Sequence, residues 1–136
     1  SSDAVYMLDW YAYGIGKVPA KVATTYQNIS DAWSLLIDQK WHDRITAIKA
    51  NDGGLSYVEF FEYRKNKMSI PLFNIYCATG SNREYYAERT DLIQLGQTTQ
   101  AIYFAKLTNE GEQSELALTG DEIKARFSLV NQAWNN

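Results

Sequence analysis

Ser69-Ile70-Pro71-Leu72-Phe73-Asn74-Ile75-Tyr76-Cys77-Ala78-Thr79-Gly80 decides the fold, because it is the densest apolar run in the chain and ends on a glycine stop. Side chains alternate across a sheet, so Phe73, Ile75 and Cys77 share one face and Ile70, Leu72, Asn74 and Tyr76 the other. Both faces carry apolar residues, which predicts a central strand covered on both sides. Burying Phe73 and Ile75 contributes roughly 1.5–3 kcal/mol each before chain entropy is charged. Pro71 has no N–H to donate, so regular pairing is expected to begin just after it.

The segments on either side supply partners for that strand. Leu55 to Arg64 alternates Tyr57, Glu59, Phe61 and Tyr63 with Val58, Phe60 and Glu62, and reads as a strand joined to the central one through the polar loop Lys65-Asn66-Lys67. Leu92 to Leu95, a turn over Gly96 to Gln100, and Ala101 to Leu107 predict a β-hairpin. Between them Ser81 and Glu84 have the spacing of a capping box, which predicts a short helix over 82–89. Asn109 to Ser114 reads as a solvated loop. Thr119 and Glu122 again fit a capping box, and Ile123, Phe127, Val130 and Trp134 form a stripe, which predicts a helix from Gly120 to Trp134 lying across the sheet.

Toward the start, residues 4–13 are rich in aromatics and run into the turn cluster Gly14 to Pro19, after which Lys21 to Gln27 is a second run of β-formers. A hairpin over residues 1–28 is expected, although Val5, Leu8 and Ala12 also fall at helical spacing. Residues 30–50 are ambiguous. Trp33, Ile37, Trp41, Ile45 and Ile48 make a helical stripe behind the cap Ser30-Asp31, yet the segment also splits at Asp38-Gln39-Lys40 into strands Trp33 to Ile37 and Arg44 to Lys49. The turn Asn51-Asp52-Gly53-Gly54 ends it on either reading.

The fold class expected is α+β: an antiparallel sheet of about five to seven strands with two helices packed on it. A length of 136 residues suits a single domain, here a hairpin over 1–28 and a sheet-and-helix core over 30–134. Hydrophobic residues at 46% and charged residues at 21% are globular values. Ten Tyr, four Trp and five Phe favour sheet structure, where rings pack well on a pleated surface. The net charge of −3 offers no attraction to phosphate backbones, so no nucleic-acid partner is expected. No apolar run approaches the roughly 20 residues a membrane-spanning helix needs. Starting at Ser1 rather than Met, the chain is expected to be a processed product.

Three pieces taken together carry a resemblance: Ser34 to Asp38 followed by Lys40-Trp41-His42-Asp43-Arg44-Ile45-Thr46; Gly53 to Phe60; and Pro71 to Tyr76 with Leu95-Gly96 and Ile102-Tyr103. Their order over residues 30–134 resembles small extracytoplasmic domains of unknown function from Gram-positive gut bacteria, many of them lipoproteins, similar in layout to the PsbP-like antiparallel sheet. Gln39 departs from the pattern, which usually has a residue nearer Pro or Ser there. The resemblance implies two strands rather than a helix for residues 33–49, and it implies an extracytoplasmic location. It carries no catalytic residues to transfer.

Chemical motifs are sparse. Asp52-Gly53-Gly54-Leu55-Ser56-Tyr57-Val58-Glu59 matches the second half of an EF-hand loop, but Ile48 and Ala50 stand where calcium needs oxygen donors, so a turn is expected and no metal. Gly14-Ile15-Gly16-Lys17 is too short for a phosphate loop. His42 is the single histidine and lacks a nucleophile elbow, and Cys77, the single cysteine, reads as a small buried hydrophobe. No cofactor is expected. The function expected is a non-catalytic binding domain whose partner is a protein or small molecule at the cell surface; the alternative is a small cone-shaped α+β enzyme using His42 with a carboxylate. The candidate ligand-binding residues are Trp10, Tyr11 and Tyr13, which cannot all be core if residues 4–13 form a strand.

Overall fold

Alternation along the first aromatic run resolves as a strand, not a helix. A computed structural model describes residues 5–12, 20–65 and 69–130. Val5–Ala12 (β1) and Ala20–Asn28 (β2) pair antiparallel, with Met7 opposite Tyr26 and a register shift between Trp10 and Tyr11. Trp33–Leu36 (β3) joins the other side of β2. The chain reaches it through a turn in which the buried Asn28 accepts hydrogen bonds at Oδ1 from Ser30 Oγ, at 3.1 Å, and from the Asp31 N–H, at 3.0 Å. A 3₁₀ turn, Gln39–Trp41, then separates β3 from Ile45–Asp52 (β4). Local helical spacing over residues 33–49 therefore loses to two strands.

Leu55–Glu62 (β5) and Ile70–Thr79 (β6) follow. Next come the short helix Glu84–Ala87 (α1), the hairpin Ile93–Gln97 (β7) and Ala101–Leu107 (β8), and Asn109–Glu112 (α2). Gly120–Arg126 (α3) and Phe127–Leu129 (β9) complete the order. The fold is α+β, and its strands form two antiparallel sheets, β1-β2-β3-β9 and β4-β5-β6-β8-β7. Two compact units result, Ser1–Gln39 with Arg126–Asn136, and Lys40–Ala125.

The first unit is built on one sheet face. Tyr26, Trp33, Leu35 and Phe127 are buried, with Trp33 centred 5.5 Å from Tyr26 and 5.8 Å from Phe127. Here the structure corrects the expected Gly120 to Trp134 helix. It stops at Arg126, and Phe127 pairs with Leu35 and Leu129 with Trp33. Phe127-Ser128-Leu129 alternates apolar and polar, and the open side of β3 offers hydrogen bonds that another helical turn would forgo. Arg126 donates to Asp38 at 2.8 Å and fastens the changeover. Trp134 lies outside the described residues.

In the second unit β6 is the middle strand, as its double-sided apolar pattern predicts. Pro71 is accommodated by a register shift opposite it, between Phe60 and Phe61, and pairing with β8 starts only at Phe73. One sheet face carries Val58, Phe60, Glu62, Phe73, Ile75 and the buried Cys77. Phe60 stacks on Phe73 at 4.9 Å, and Trp41 sits 5.7 Å from Phe73 with its indole N–H donating to the Leu116 carbonyl at 2.8 Å. Leu116, Leu118 and Ile123 are buried with them. On the other face Tyr57, Tyr76, Phe104 and Tyr86 of α1 pack in series at 5.0, 4.8 and 5.0 Å, the first pair tilted and the other two stacked.

Turn chemistry is partly as expected. Gly53, at φ 62°, opens the two-residue link from β4 to β5, and Gly80, at φ 89°, follows the end of β6, both in the left-handed region that glycine occupies without strain. Thr119 and Glu122 make the capping box: the Thr119 N–H donates to Glu122 Oε1 at 2.9 Å and the Glu122 N–H to Thr119 Oγ1 at 3.1 Å. The Ser81 and Glu84 pair does not. α1 starts after Arg83 with no side-chain cap, and Arg83 instead donates to the carbonyls of Gly80 and Thr99 at 2.8 and 3.0 Å. Asn109 to Ser114 is not a solvated loop either, since α2 forms within it and Gly111 and Ser114 are buried.

Glu62 is the one buried carboxylate among the described residues. It accepts from Arg64 Nε at 2.7 Å and from Ser114 Oγ, whose oxygen also takes the Leu116 N–H at 3.0 Å. The bond from Arg64 first, and that from Ser114 second, hold this carboxyl below the ordinary glutamate range despite burial. With the folded value below the unfolded one, the unfolded state binds more protons. The stability it contributes is present above the ordinary glutamate range and lost as pH falls through the folded value. Urea unfolding should therefore show the gap between wild type and Glu62→Gln narrowing with acidification; an unchanged gap from neutral to acid pH would refute this role.

Candidate functional site

Strand β1 carries the aromatic residues singled out above. Of the three, Tyr11 is described: it is 48% exposed. The side chain of Trp10 and all of Tyr13 lie outside the described residues. Two neighbours that sequence reasoning did not select join Tyr11, Met7 at 46% and Leu8 at 41% exposure. Their signal in the sequence is the run itself, Val5-Tyr6-Met7-Leu8-Asp9-Trp10-Tyr11-Ala12, apolar at both odd and even positions and therefore unable to hide on one face.

Pairing explains why these side chains reach solvent. Met7 lies opposite the buried Tyr26, on the face that also holds Leu35, while Leu8 lies opposite Thr25, whose other neighbour Leu36 is itself exposed. Among the described residues β1 stands at the end of the strand order, so each of its residues has a described cross-strand neighbour on one side only. Asp9 is the single charged side chain of the strand and accepts from Thr24 Oγ1 at 2.6 Å. Methionine, leucine and tyrosine at one edge combine adaptable apolar surface with a polar tip, the composition of binding patches.

Other candidates carry less chemistry. His42 is exposed, and its Nε2 lies 3.2 Å from a carboxylate oxygen of its neighbour Asp43, also exposed. The alternative enzyme thus has its imidazole and carboxylate side by side, but both stand in open solvent, where a catalytic pair would need desolvation and a third group to orient it. The Tyr57, Tyr76, Phe104 and Tyr86 rings engage one another's faces, which makes that row part of the packing rather than a platform for a flat ligand. All five arginines are engaged internally: Arg44 by Glu115, Arg64 by Glu62, Arg89 by Asp91, Arg126 by Asp38, and Arg83 by backbone carbonyls. Among the described residues no cluster of three or more metal-ligating side chains occurs, and no helix is long and apolar enough to cross a membrane.

The aromatic edge strand is therefore the candidate site, made of Met7, Leu8 and Tyr11 with Trp10 beside them in sequence. No family model matches the chain, and it has no match among curated proteins or solved structures.

Proposed function

We propose that the chain is a non-catalytic binding or interaction domain, exported and held at a bacterial cell surface, that engages its partner through β1. The observation that carries the reading is the exposure of Met7, Leu8 and Tyr11 on one edge strand. Exposed apolar and aromatic side chains lining one edge strand, Met7 and Tyr11 on one face and Leu8 on the other, give it a surface suited to association. The cell-surface location rests on the resemblance to small extracytoplasmic domains. A protein partner fits an edge strand better than a small molecule does, because small ligands favour concave pockets.

A photoreactive phenylalanine at position 11 tests this on intact cells displaying the protein. Irradiation is expected to yield discrete crosslinked species that are absent when the probe replaces Tyr63 or Tyr85, two tyrosines exposed elsewhere in the structure. Equal crosslinking from all three positions, or none from position 11, would refute the reading.

A further inference from the structure

Among the described residues the two sheets have four outermost strands, and they differ in how they are protected. β9 spans three residues. β7 spans five and is interrupted by a register shift between Gln94 and Gly96. β4 is a full eight residues long but carries Lys49 and Asp52. β1 is as long, and its single charge is Asp9, with no lysine and no proline. Short length, bulges, lysine and proline are the devices that stop edge strands from pairing with other chains. The register shift at Trp10 and Tyr11 touches only the end of β1, leaving Val5 to Trp10 regular.

From this contrast we propose that β1 pairs antiparallel with β1 of a second copy of the chain, joining two four-stranded sheets into one. The proposal rests on the binding reading above and names the partner. From Val5 to Trp10 the strand has no bulge, no lysine and no proline, and Asp9 alone opposes pairing with its own copies, whereas an edge reserved for a different protein would need stronger protection. A two-fold axis at Leu8 also gives a register without conflict. Leu8 of one copy meets Leu8 of the other, Met7 meets Asp9, Tyr6 meets Trp10 and Val5 meets Tyr11. The two Asp9 residues then fall on the diagonal, with backbones roughly 7–8 Å apart rather than directly opposed. An isologous dimer of this kind closes on itself and uses up both edges.

Sedimentation of the protein over a rising concentration series tests it. Wild type is expected to shift from monomer to dimer. Leu8→Lys and Leu8→Glu, each alone, should weaken association by about tenfold or more, because the axis brings like charges together. An equimolar mixture of the two should restore it. Ile48→Lys, exposed on β4, should dimerise like wild type. Far-UV circular dichroism verifies that each variant is folded, and Tyr11→Lys replaces any position-8 variant that is not. A wild type that stays monomeric throughout, a position-8 variant that dimerises as well as wild type, or a charge-swapped mixture that stays apart would overturn the proposal. If wild type is monomeric while position 11 still crosslinks to another macromolecule on cells, self-pairing fails and the binding reading stands; if both assays are negative, both fail.

Discussion

Trp41→Ala is expected to destabilise the second unit by about 3–5 kcal/mol, the range for removing a large buried aromatic. The indole is fully buried, lies against Phe60 and Phe73, and donates to the Leu116 carbonyl at 2.8 Å. Alanine leaves a cavity beside two stacked rings held in place by their strands and takes the donor from a buried carbonyl, and the two losses act together. Trp41→Phe separates them. It keeps much of the ring volume and loses the N–H, so it should cost about 1–3 kcal/mol. Urea unfolding monitored by far-UV circular dichroism provides the measurement. A loss below about 1 kcal/mol for Trp41→Ala would mean that the turn carrying Trp41 does not anchor the segment around Leu116.

Much of the layout of the second sheet is legible because its middle strands keep their buried residues in phase. Val58, Phe60 and Glu62 fall in phase, as do Phe73, Ile75 and Cys77, and the Gly53-Gly54 turn sets the register between β4 and β5. The division into two sheets is not legible. It depends on β3 pairing with β9, across some ninety residues of chain, where Leu35 meets Phe127. Nothing local to either segment specifies that partner. The same gap misleads the last helix, since Ile123, Phe127, Val130 and Trp134 keep helical spacing past the point where tertiary pairing takes over. For the site, the surplus of aromatics in residues 4–13 is visible in sequence, but the edge position of β1 is not. It follows from β3 occupying the far side of β2. Glu62 was visible only as an acid sharing the phase of Val58 and Phe60; its partner Ser114 sits in a segment whose acidic composition suggested a solvated loop.

Gly111→Ala is expected to lower stability by roughly 3 kcal/mol, at the upper end of the range for forcing extra atoms into a packed site. Gly111 lies in the helical turn α2, where glycine is ordinarily the poorer choice by about 1 kcal/mol, so propensity alone predicts a gain. Space decides against it. A Cβ there would stand 2.7 Å from Leu72 Cα and 2.6 Å from Thr108 Oγ1, and would also strike the Leu72 carbonyl oxygen. None of these atoms can yield easily. Leu72 belongs to the middle strand, and Thr108 is held by several bonds: its N–H donates to the Leu72 carbonyl at 3.2 Å, its hydroxyl donates to the Pro71 carbonyl at 2.7 Å, and that oxygen accepts from the Gly111 N–H at 2.8 Å. Relief therefore requires α2 to lift off β6, breaking bonds worth about 0.5–1.5 kcal/mol each. Gly120→Ala supplies the contrast, since the atoms nearest its Cβ would be Ile93 side-chain carbons at 3.1–3.5 Å, which can rotate away, and it should be near neutral. Denaturant melts of the two variants side by side give the answer. A Gly111→Ala protein as stable as wild type would show that α2 is not seated on the start of β6 and that the tight approach to Leu72 is absent in solution.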